Sequence, residues 1–104
     1  MSEKNLTPEA LSKYDGSGES GEIYVAIRGV IYDVTPKKDM YGPGGNYRVF
    51  AGKDASKALA KSSLKPEDCV PDVSDLNEEE VKTLDNWVEF FGKRYTKVGT
   101  VIEA

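Results

Sequence analysis

Histidine is absent from the 104 residues, and cysteine occurs once, at Cys69. The first absence removes the Ser-His-Asp triad, the HExxH zinc helix, the Cys/His finger and bis-histidine iron ligation together. The second removes an intrachain disulfide and any four-cysteine metal site, and fits reducing surroundings. Long apolar runs are missing too. Nothing approaches the roughly 18 residues of a membrane span. The opening MSEKNLTPEALSKYDGSGES has no signal-peptide core, and the closing VIEA has no lipidation or retention signal. These absences predict a chain without a membrane span, whose Asn5-Leu6-Thr7 sequon goes unused. Basic residues are in deficit, 14 against 18 acidic, for a net charge of -4. That balance excludes a nucleic-acid binder, which needs a basic face to displace counterions.

What is present reads as one globular domain, residues 1–104, with a core over about 5–102. Apolar residues are 38% and charged residues 31% of the chain, the composition of a soluble fold. Thr7-Pro8 is a helix start, a capping hydroxyl followed by a proline that needs no N–H, and predicts a helix Pro8–Lys13. Asp15–Gly21 is a loop. Its Gly16-x-Gly18-x-x-Gly21 resembles a dinucleotide fingerprint in spelling only, because it precedes a strand instead of following one. Ile23–Arg28 alternates, with Ile23, Val25 and Ile27 on one face, and Val30–Val34 is β-branched and aromatic. Arg28-Gly29 joins them as a tight hairpin turn.

Thr35-Pro36 ends that strand, and Lys37–Tyr47, with Gly42-Pro43-Gly44-Gly45, is expected to be a loop. A helix is expected over Lys53–Ser63. Lys53, Lys57, Lys61 and Lys65 would stripe one side of it, as a solvated surface or as a contact for carboxylates. Pro66–Glu80 reads as an acidic surface loop without the spacing of a calcium site. Asn77 then caps the clearest helix, to about Arg94. Glu80 returns the hydrogen bond, Leu76 and Val81 are placed as a staple, and Val81, Leu84, Trp87, Val88 and Phe91 form a stripe. Glu78–Lys82 and Glu89–Lys93 are i,i+4 pairs. Val98–Ile102 looks like a last strand. The fold class is α+β, a hairpin and short strands with helices packed beside them.

Catalytic patterns fail in turn. Cys69 lies among acids, which raise a thiol pKa, and reads as inert. Gly52-Lys53 has Asp54 where a Walker hydroxyl belongs and Tyr47 where the first glycine belongs. An enzyme is not expected. The unusual feature is tyrosine, six of ten aromatics. Tyr41 and Tyr47 flank the glycine-rich loop, and Tyr95 follows Lys93-Arg94. Any one tyrosine could be core packing with a polar tip. A phenolate is also an iron ligand that needs no histidine or cysteine. On composition alone, haem is one guess among several.

Ile31-Tyr32-Asp33-Val34-Thr35 resembles the strand that leads into the haem pocket of cytochrome b5. The block from Tyr41 to Ser56, YGPGGNYRVFAGKDAS, resembles the membrane-associated progesterone receptor (MAPR) family, a branch of the cytochrome b5-like haem/steroid-binding domains. Leu76–Trp87 and Arg94-Tyr95-x-x-Val98-Gly99 are similar to its C-terminal part, so the resemblance covers about residues 5–102. It implies a cytochrome b5-like fold and ferric, five-coordinate haem with Tyr47 as the tyrosinate ligand. It implies a hydrogen bond from Tyr41 to that phenolate and haem contacts from Tyr95 and Arg94. Arg94 replaces the lysine of animal members, which turns a point charge into a planar fork. The N-terminal membrane helix of several members has no counterpart here, so the chain resembles the soluble ones, cytoplasmic or peripheral at the endoplasmic reticulum.

Three functions follow, in order. The first is a haem module that modulates sterol-metabolising cytochrome P-450 partners and dimerises through exposed haem. The second is an electron carrier like cytochrome b5, against which the missing histidines count. The third is a haem-independent sterol-binding or scaffold module.

Overall fold

The computed structural model describes residues 4–17, 21–42 and 44–102. Gly18 of the formal fingerprint and Pro43 of the glycine-rich loop lie outside them. The hairpin forms as the sequence predicts, with β1 (Tyr24–Ile27) paired antiparallel to β2 (Val30–Asp33), so that Val25 faces Tyr32 and Ile27 faces Val30. Arg28 and Gly29 make the turn with φ of 52° and 78°, the left-handed pair that a two-residue hairpin requires. β3 (Thr96–Thr100) starts two residues earlier than expected and pairs antiparallel with the other side of β2, with a bulge in the register between Ile31 and Tyr32.

Neither outer edge of this sheet is left open. The Leu6 N–H donates to Thr100 and the Ile102 N–H to Leu6, so the N-terminal segment lies along β3. The Gly52 and Ala55 N–H groups donate to Tyr24 and Ala26 along β1, and the Ala26 N–H donates to Lys53. Covered edges remove the template for edge-to-edge pairing.

Alternation along β1 sorts its side chains between two cores. Ile23, Val25 and Ile27 join Tyr32, Val34, Leu84 and Phe91 on the helix side, and Tyr24, Ala26 and Ile31 join Leu11 on the other. The second cluster is closed by α1 (Pro8–Leu11), capped by the Thr7 hydroxyl, which accepts from the Ala10 N–H at 3.1 Å. That helix ends two residues short of the expected Lys13.

The Lys37–Tyr47 segment is not wholly a loop. Thr35–Lys37 is a 3-10 turn that runs into α2 (Lys38–Tyr41), and a further 3-10 turn covers Arg48–Phe50. Glycines mask this single helical turn at the level of sequence. α3 spans only Ser56–Ala60, so Lys53 and Lys65 fall outside it and no continuous lysine face exists. Two of those lysines find carboxylates within the chain, Lys57 on Asp75 at 3.3 Å and Lys61 on Glu80 at 3.2 Å. The acidic stretch after Pro66 is thus partly an internal counter-charge, and it contains a 3-10 turn over Pro66–Asp68.

α4 (Glu78–Arg94) is the longest helix and begins with the full capping box. The Glu80 N–H donates to Asn77 Oδ1 at 2.8 Å, and the Asn77 N–H donates to Glu80 Oε1 at 3.0 Å. The Asn77 N–H and then Lys61 hold the Glu80 carboxyl below its ordinary value. Glu89 pairs with Lys93 at 2.9 Å. Leu84 and Phe91 are fully buried, whereas Val81 is exposed and Trp87 only half-buried. Trp87 therefore belongs to the wall of the core and not to its centre.

One polar link went unread in the sequence. Buried Asp54 accepts from the Gly29 N–H and from the N–H and hydroxyl of Ser56, and Ser56 Oγ accepts from the Arg28 N–H at 2.7 Å. Together with Arg28–Asp85 at 2.8 Å, it fastens the hairpin turn to α3 and α4. Asp54, noted only as a mismatch to a phosphate loop, is a tether for that turn.

A tyrosine-lined cavity beside the C-terminal helix

The loop after α2 turns back on itself and sets two tyrosines side by side. The Tyr47 N–H donates to the Met40 carbonyl at 2.8 Å, which folds the loop over the end of α2. Gly45 sits against that carbonyl so closely that a Cβ there would lie 2.2 Å from it, and only glycine permits the approach. The result places the Tyr41 and Tyr47 rings 5.6 Å apart, tilted by 38°, with Tyr47 also stacked on Phe50 at 5.7 Å.

α4 supplies the opposite wall. Phe91 stands at its centre, within 5.0 Å of the Tyr95 ring, 6.2 Å of Trp87 and 6.4 Å of Tyr41. Tyr95 follows the last turn of α4, and its N–H donates to the Phe91 carbonyl at 2.9 Å. Arg94, also in that last turn, lies over the Phe90 ring at 5.2 Å, a cation–π contact.

Between these walls is a cavity of about 420 Å³. Tyr41, Tyr47, Arg94 and Tyr95, the four residues singled out in the sequence, all line it. Lys37, Met40, Trp87 and Phe90 line it as well, and sequence reasoning assigned none of them to the site. Trp87 and Phe90 are three residues apart on α4 and so share a face. Met40 and Lys37 gave no signal, because the helical turn that carries Met40 was read as a loop. Met40 is also a thioether, a side-chain type able to ligate haem iron, whereas the sequence reading saw no second strong ligand.

Tyr41 is 3% exposed, and burial pushes its hydroxyl well above the ordinary phenol value. Its neighbours Tyr95 and Tyr47 act in the same direction. No Asp or Glu lines the cavity, and no group of His, Cys, Asp and Glu among the described residues could hold a bare metal ion. Cys69 lines a separate small cavity near Asp54. Burial first, and Asp68 to a smaller degree, pushes its thiol up. The main cause is burial and not the acidic neighbours from which the rise was expected.

A second cavity of about 250 Å³ adjoins the first and is apolar, lined among others by Phe50, Leu59 and Leu64. Tyr47 and Trp87 line both.

The chain matches the family described as cytochrome b5-like heme/steroid binding domain over residues 7–101. It is 50% identical over 97 residues to Probable steroid-binding protein 3 of Arabidopsis thaliana, covering 93% of this chain and 97% of that protein. It is 48% identical to Membrane steroid-binding protein 2 of Oryza sativa and 42% identical to Cytochrome P450 regulator dap1 of Schizosaccharomyces pombe, over 92% and 95% of this chain. It spans 36% of the Oryza protein and 63% of dap1. A solved Arabidopsis thaliana protein with a cytochrome b5-like fold superposes with a TM-score of 0.89 at 48% identity, covering 97% of this chain and 93% of that one. No helix among the described residues is long and apolar enough to cross a membrane. The fold, the family match and the relatives agree: the chain belongs to the cytochrome b5-like haem/steroid-binding domain family, in its membrane-associated progesterone receptor branch.

Proposed function

We propose that the tyrosine-lined cavity binds ferric haem through Tyr47 and that the loaded protein modulates sterol-metabolising cytochrome P-450 enzymes. One observation carries this reading. Four residues spread from position 41 to position 95 converge on one aromatic cavity whose only charged side chains are cations. Flat walls suit a macrocycle, a phenol oxygen suits iron, and Lys37 and Arg94 suit carboxylates, so the residues fit haem. The group would supply an iron centre. Tyr47 would lose its proton on binding, and a hard anionic oxygen favours the ferric state and lowers the reduction potential. That argues against easy electron shuttling. In this reading Tyr41 would hydrogen-bond the Tyr47 phenolate, and Tyr95 would contact the ring.

Modulation of a P-450 rests on the name of the dap1 relative. A haem bound on one face leaves an apolar face for a second loaded copy, and sedimentation with and without haem reads that out. Action at the cytoplasmic surface of the endoplasmic reticulum fits such partners.

The test is a titration of the protein with ferric haem, followed by absorption. A shifted Soret band and a phenolate-to-iron charge-transfer band are expected, and both should vanish in Tyr47→Phe while the far-ultraviolet circular dichroism stays. An unchanged ferric spectrum in Tyr47→Phe rejects the ligand assignment. The neighbouring apolar cavity supports a second reading, a haem-independent sterol site. Tight binding of a sterol to Tyr47→Phe would favour that one.

A further inference from the structure

The cavity lined by the four expected contacts has a second cation, Lys37, which no motif singles out. Its place is structural. Lys37 closes the 3-10 turn after β2 and its backbone flanks the start of α2, so it reaches the cavity from a different element than Arg94, which ends α4. Some cations elsewhere in the molecule sit on carboxylates, Arg28 on Asp85, Lys57 on Asp75, Lys61 on Glu80 and Lys93 on Glu89, whereas no acid lines this cavity. Among the described residues neither Lys37 nor Arg94 has an ion-pair partner, and the cavity wall offers none. In a chain with more acids than bases, two unpaired cations facing one aromatic cavity ask for anionic groups from a ligand.

We infer that Lys37 is a second anchoring residue, which with Arg94 selects a flat ligand bearing two carboxylates over a neutral one of the same shape. The inference rests on the haem reading and adds to it the source of discrimination between a porphyrin diacid and an uncharged sterol or ester. A phenolate and an apolar wall alone accept either. A lysine ammonium and a guanidinium lining one cavity match only the diacid without leaving an acid or a cation unmatched.

Trp87 is the sole tryptophan and lines the cavity, so quenching of its fluorescence reports occupancy directly. Ferric protoporphyrin IX and its dimethyl ester are titrated into the unchanged protein, Lys37→Gln, Lys37→Arg, Arg94→Gln and Lys38→Gln. The unchanged protein should prefer the diacid. Lys37→Gln should weaken the diacid about fivefold, the scale of a partly solvated ion pair, and leave the ester unchanged. Lys37→Arg should restore the preference, and Lys38→Gln, next along the chain, should keep it. Equal diacid affinity in Lys37→Gln and the unchanged protein overturns this inference and leaves the haem reading standing. No quenching by either porphyrin in the unchanged protein overturns both.

Discussion

The buried ring of Tyr41 stands edge-on to that of Tyr95, with centroids 6.2 Å apart and planes at 88°. The two come from distant parts of the chain, and burial first, with Tyr95 second, holds the Tyr41 proton. This raised value has a consequence for stability. The unfolded phenol ionises near its ordinary value of about 10, while the folded one does not. Above that pH the folded state binds the extra proton, so stability present below about pH 10 is lost as pH rises. Thermal melts between about pH 9 and 11 should show the midpoint falling, and falling less steeply in Tyr41→Phe. At neutral pH that variant should cost about 1 kcal/mol. Parallel curves for the two proteins would show that the Tyr41 proton is not the cause.

Phe91 is the hub of the aromatic wall and has no exposed surface. Its ring meets those of Tyr32, Tyr41, Trp87, Phe90 and Tyr95. Phe91→Ala should lower the unfolding free energy by about 3–5 kcal/mol, read as the shift of the urea midpoint. The unchanged protein should fold without haem, because no buried side-chain polar atom among the described residues lacks a partner. A random-coil circular dichroism spectrum of haem-free protein would contradict that.

Met40 puts a thioether in the same cavity as Tyr47. If the ferric centre is held by Tyr47 alone, Met40→Leu keeps the shape and removes only the sulfur, and the ferric spectrum should not change. A shift of the charge-transfer band in Met40→Leu would establish sulfur as a second ligand and end the five-coordinate assignment.

Gly99 lies beneath the N-terminal segment, where an added Cβ would sit 1.9 Å from the Lys4 carbonyl. Gly99→Ala should lift that segment from β3. Amide exchange at Leu6 and Ile102, which pair with Thr100 and Leu6, should speed up markedly while Leu84 stays protected. Unchanged exchange at both amides would mean the backbone yields elsewhere.

Local chemistry made much of this legible. Asn77 and Glu80 announce α4 because a capping box is a short-range pattern, and Arg28-Gly29 announces the hairpin for the same reason. Tyr41, Tyr47, Arg94 and Tyr95 were singled out, and the fold does bring them to one cavity. The fold also hid three things. α2 carries its glycines just beyond its end, so Lys38–Tyr41 looked like more loop. Trp87 sits on the apolar stripe of α4, and one-dimensional periodicity cannot tell a core position from a cavity wall. Lys37 shares its cavity with Arg94, and Asp54 holds Gly29 at the hairpin turn, both distant in sequence, and no local pattern records such neighbours.

The N-terminal segment and the end of β3 run side by side, Lys4 donating to Val98 at 2.9 Å and Ile102 donating to Leu6 at 2.9 Å. The fold is in this sense a closed ring with one seam. Such a ring can be spliced into a longer polypeptide with both leads leaving at a single place, or be re-cut elsewhere and joined across the seam. The tyrosine-lined cavity is built from α2, α4 and the loops between, and the seam contributes nothing to it. A circular permutant linked from residue 102 to residue 4 by a few glycines, opened in the exposed stretch near Ser74, should therefore keep an intact binding cavity.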